Sequence, residues 1–129
     1  MSDDEQQEAM RIGREAFDRG DYFAAHEHWE AVWIEAAEPE RTWVQGLIQL
    51  ATGLHKLAQK RPDLCARLLR KALAKLTAHG GAPGRLWEVD VAAGRRGAEE
   101  ILGALERGEG PDPGAIQLAP PPPTGSRRS

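Results

Sequence analysis

The sequence predicts an all-α fold, a compact bundle of about five helices. Apolar residues return at helical spacing from Glu5 to about Arg107, breaks rich in glycine or proline cut this stretch into helix-length segments, and nothing alternates with the period of two that a strand requires. The first helix runs from Glu5 to about Arg19 and stops at Gly20-Asp21. Asp21 is a good N-cap for a second helix, Tyr22 to about Ala36. Pro39 lies in the next turn, where a third helix begins and runs from about Arg41 to Gln59. Pro62 suits the first turn of a fourth. That helix ends near His79, because Gly80-Gly81-Ala82-Pro83-Gly84 cannot continue it. Asp90 can cap a fifth helix running to about Arg107.

The third helix is apolar almost all round, with Gln45, Gln49, Thr52 and Lys56 as a polar seam, and is expected at the centre. Gly13, Ala25, Trp29 and Val32 recur forty residues later as Gly53, Cys65, Leu69 and Ala72. With Gly20 at the turn and Tyr22 after it, the first hairpin resembles the tetratricopeptide pattern, although the spacing exceeds the usual period. The expected architecture is two such hairpins and a closing helix, residues 1–108. Residues 109–129, with a tetraproline at 120–123, form a proline- and glycine-rich tail expected to be disordered, unless Ile116 and Leu118 tack part of it down.

No apolar run approaches the roughly 18 residues of a membrane span. The acidic start, MSDDEQQEAM, is unlike a secretory or transit signal, and a cytoplasmic location is expected. Cys65 is the single cysteine, which excludes an intrachain disulfide and a multi-cysteine zinc site. Serines occur only at positions 2, 126 and 129, which serves serine hydrolysis poorly, and "HGGAPG" lacks the lysine and hydroxyl of a phosphate loop. The net charge of −3 conceals a segregation: residues 1–40 carry a net −9 and residues 41–86 a net +8. An acidic helix packed beside a basic one, or an interaction surface, would give this pattern.

The stretch "FAAHEHWEAVW", residues 23–33, concentrates polar chemistry on one helix. Ala25, Trp29, Val32, Trp33 and Ala36 follow core spacing; His26 and Glu30 stack one step round, and His28 faces solvent. If the second helix packs on the third, His26, Glu27, Glu30, Gln49 and His55 can form one polar cluster. One reading is a buried hydrogen-bonded group that fixes helix register. A second is a divalent metal held by His26, Glu30 and His55, although Glu30 stands where His-Glu-x-x-His needs its second histidine. A third is acid–base chemistry or small-ligand binding without metal.

"GDYFAAHEHWEAVW" followed by "QGLIQLATGLHK" resembles the small proteins catalogued as domain of unknown function 309, over roughly residues 10–78. The resemblance rests on Gly20, Tyr22, Ala25, His26, Glu27, Glu30 and Trp33, then on Gln45 to Gln49, Ala51 and His55. "QKRPDL" departs from the glycine-containing turn expected after the second motif. The resemblance implies a compact helical bundle and carries no settled activity.

A further candidate is a basic face of Lys56, Lys60, Arg61, Arg67, Arg70, Lys71 and Lys75, suited to an anionic ligand or nucleic acid. No aromatic platform accompanies it and the first forty residues repel polyanions, so nucleic acid is disfavoured. The function expected is a non-catalytic helical interaction or scaffold domain, with a protein partner or self-association, and no catalytic residue is assigned. The competing classes are a small metal-binding protein or metal-dependent enzyme on the His/Glu cluster, and an anion or nucleic-acid binder through the fourth helix.

Overall fold

The computed structural model describes residues 1–121. Five helices carry the fold: α1 (Asp3–Asp18), α2 (Tyr22–Glu35), α3 (Glu40–Ala58), α4 (Pro62–Thr77) and α5 (Val91–Glu106). Each starts where local chemistry allows. Ser2 accepts from the Glu5 N–H while the Glu5 carboxylate accepts from the Ser2 N–H, a capping box that starts α1 two residues ahead of the expected Glu5. Asp21 and Asp90 cap α2 and α5 through the N–H groups of Ala24 and Ala93, and Pro62 occupies the first turn of α4. Gly20, at φ +87°, turns the chain between α1 and α2.

Successive helices pack as neighbours, α1 on α2, α2 on α3 and α3 on α4, and α5 closes against α4 and α3. α3 is central, burying Trp43, Val44, Leu47, Leu50, Ala51 and Leu54. The two glycines of the sequence repeat do the same job in each hairpin. A Cβ on Gly13 would sit 2.4 Å from the Trp29 ring, and one on Gly53 would sit 3.1 Å from Leu69, so each glycine lets a large side chain of the following helix reach the backbone. Trp29 is fully buried and donates its indole N–H to the Met10 carbonyl at 3.2 Å.

Two features depart from the expected outline. Between α4 and α5 the chain makes a 3₁₀ turn at Ala78–Gly80 and then a small antiparallel pair, β1 (Arg85–Leu86) and β2 (Val89–Asp90), reversed through Trp87 at φ +51°. Two-residue strands are too short to leave an alternation in the sequence. The packed structure also continues past Gly108, where the tail was expected to begin, through Ile116 and Leu118. Both are buried; Leu118 donates its N–H to Asp18 Oδ1 at 2.7 Å and accepts from the Asp90 N–H at 2.8 Å. Residues 122–129, the last two prolines of the tetraproline included, lie outside the described residues. Among those described, no helix is long and apolar enough to cross a membrane.

Candidate functional site

A cleft of about 310 Å³ opens between the start of α2 and the end of α3, lined by Tyr22, Phe23 and His26 on one side and Thr52, His55 and Lys56 on the other. Antiparallel packing explains the meeting: the first turns of α2 face the last turns of α3, so residues thirty apart in sequence come together. Both histidines are half-buried, and the edge of the His26 ring meets Phe23 with centroids 6.4 Å apart. Phe23 is 58% exposed, a large apolar surface left at the mouth of a polar cleft. Beneath it, Tyr22 packs edge-on against Phe17 in the core. Burial pushes the Tyr22 phenol up to about 12, with the Asp112 and Asp18 carboxylates adding to the effect, so it stays neutral over the ordinary pH range.

The expected polar cluster is divided by the fold. His26 keeps Glu30 beside it, Nε2 to Oε1 3.9 Å, as the one-turn spacing required, but Glu30 is exposed and outside the cleft lining. Glu27 is exposed as well. Gln49 lies on the α4 side of α3, in a different cleft. Among the described residues, none of His26, Glu27, Gln49 and His55 hydrogen-bonds another, and no three His, Cys, Asp or Glu side chains gather as a metal ion would need. What the fold assembles is a pair of histidines from two helices, with a lysine.

The basic residues are parted in the same way. Lys56 joins the histidine cleft, and Lys60 lies beside the segment after α5, in a cleft that includes Pro111. Arg61 pairs with Asp63 and Arg70 with Glu106, and Lys71 and Lys75 line the α3–α4 cleft. Arg67 is exposed. Cys65 is fully buried and burial pushes its thiol up to about 11, an inert core residue as its place in the repeat foretold. Sequence reasoning missed Phe23 as a cleft wall, and missed Thr42 and His79 beside Lys71 and Lys75. Phe23 carried a signal, an aromatic off the core stripe of α2. His79 carried none, since a turn with φ +58° at that residue places it.

Comparison with known proteins agrees with the two motifs. The model of the family described as Domain of unknown function (DUF309) matches residues 10–68. An uncharacterized protein of Aquifex aeolicus (strain VF5) is 28% identical over 106 residues, covering 81% of this chain and 31% of that protein, so the chain spans under a third of the relative's length. From the middle of α1 into the first half of α4, the chain carries the pattern of the DUF309 family, in the helices that build the histidine cleft.

Proposed function

We propose that this protein is a non-catalytic helical interaction domain, and that the α2–α3 cleft receives an acidic side chain of a partner protein, with Phe23 packing on the segment that carries it. The observation that carries this reading is that His26 and His55, from different helices, line one cleft with Lys56, and among the described residues neither His55 nor Lys56 is paired with a carboxylate. Three nitrogen-bearing side chains around an open cleft suit a carboxylate, and an exposed aromatic at the rim suits the apolar part of a peptide. The matching glycine contacts in the two hairpins support a tetratricopeptide-like stack, an architecture that offers grooves of this kind.

The test is an NMR titration of the labelled protein with acidic, aromatic-containing peptides, repeated with His26→Ala, His55→Ala and Phe23→Ala. The expected result is a saturable shift confined to the start of α2 and the end of α3, lost in all three variants, with each melting within about 1 kcal/mol of the parent because no buried partner is orphaned. A loss of roughly 1–3 kcal/mol in both histidine variants without peptide binding would return these residues to a structural role.

A further inference from the structure

On the α4 side of α3 lies a second cleft, of about 520 Å³, within the range of small-molecule sites. Lys71 and Lys75 approach it from α4, Thr42 and Gln49 from α3, and His79 from the turn after α4. The two lysines stand one helical turn apart, where like charges repel. Among the described residues neither has an ion-pair partner, and the carboxylate beside this cleft, Glu38, is engaged by His79 at 3.4 Å. Glu38 also accepts the Thr42 hydroxyl at 2.7 Å and the Thr42 N–H at 3.1 Å, which, with His79, hold its carboxyl below the usual range and fix it at the His79 end of the cleft. What is left without a counterpart is a pair of ammonium groups and one acceptor. Gln49 Oε1 is buried and no protein group donates to it. A buried acceptor without a donor is costly, and a ligand that draws the Gln49 amide out into the cleft relieves that cost by supplying one.

We infer that this cleft binds a small dianion, a phosphate monoester or a dicarboxylate, whose charge lies between Lys71 and Lys75 and which gives a hydroxyl or amine hydrogen to Gln49. The site is independent of the histidine cleft and shares none of its residues. The ligand is small because the flanking Ala74 and Ala78 offer methyl walls and no aromatic platform.

Glycerol phosphate, malate and succinate are titrated calorimetrically into the full chain at low ionic strength. Lys71→Gln, Lys75→Gln and Gln49→Leu probe the cleft; Lys60→Gln and Arg67→Gln are controls on bases outside it. The expected result is saturable binding of glycerol phosphate or malate that weakens by about tenfold or more in either cleft-lysine variant and is unchanged in the controls. Succinate, which lacks the hydroxyl, binds more weakly than malate, and Gln49→Leu abolishes that difference. Binding of glycerol phosphate alone assigns a monoester, and of malate alone a dicarboxylate. No saturable binding of any of the three, or equal weakening in cleft and control variants, overturns the site. Lysine-dependent binding that ignores both the hydroxyl and Gln49 overturns the donor assignment. Each variant is checked by its helical circular dichroism, and Lys71→Met or Lys75→Met replaces one that does not fold.

Discussion

At the scale of single residues, periodicity decided more than chemistry did. The i, i+4 and i, i+7 spacing on α2 separated a half-buried His26 from an exposed His28 before any neighbour was known, and the structure has both as expected. Cys65 was legible for the same reason: it stands where the repeat has alanine, and it is fully buried. Since burial holds its thiol protonated up to about 11, iodoacetamide at pH 8 should leave the folded protein unmodified and label it once denaturant exposes the side chain. Rapid labelling of the native protein would place Cys65 at the surface. Gln49 was not legible. A glutamine on the seam of a helix can turn toward either neighbour, and α4 rather than α2 supplies the wall it faces.

At the scale of elements, helix positions followed from caps and breaks, and the segment after α5 followed from packing. A Cβ on Gly97 would lie 2.5 Å from Ile116 Cγ1, so this position of α5 is a seat for the chain that returns over it. In a free helix Gly97→Ala would gain about 1 kcal/mol. Against a seated Ile116 it overpacks, at a cost of about 1–3 kcal/mol. The intact chain should therefore lose on the order of 1 kcal/mol with Gly97→Ala, while the same change in an Ile116→Ala background should be neutral or stabilising, a sign reversal read by denaturant unfolding of the four proteins. The same sign in both backgrounds would mean that Ile116 does not occupy that seat in solution.

For the whole molecule, the buried Tyr22 links proton binding to folding, and it is the single tyrosine of the chain. Its folded value of about 12 stands above the ordinary phenol value near 10, so the folded state holds its proton where the unfolded state has released it. Stability from this group is complete below pH 10 and declines as the pH climbs from about 10 to about 12, by up to ~3 kcal/mol. Tyrosinate absorbance should thus rise together with the loss of helical circular dichroism, and Tyr22→Phe should flatten the alkaline decline. Titration near pH 10 with the helices intact would show that the ring is not enclosed.

The sequence by itself determined five helices, their order, the central place of α3 and the core stripe of α2, because hydrophobic period, capping residues and turn residues are local and act within one or two helical turns. It also determined that His26 stands over Glu30, for the same reason. Only the tertiary structure decided that His55 and Lys56 join His26 while Gln49 turns to Lys71 and Lys75, that the basic run divides among separate clefts, and that Leu118 is pinned between Asp18 and Asp90. Those outcomes depend on how antiparallel helices are rotated against one another and on where a returning segment finds an open seat, and neither is written in the period of any one helix.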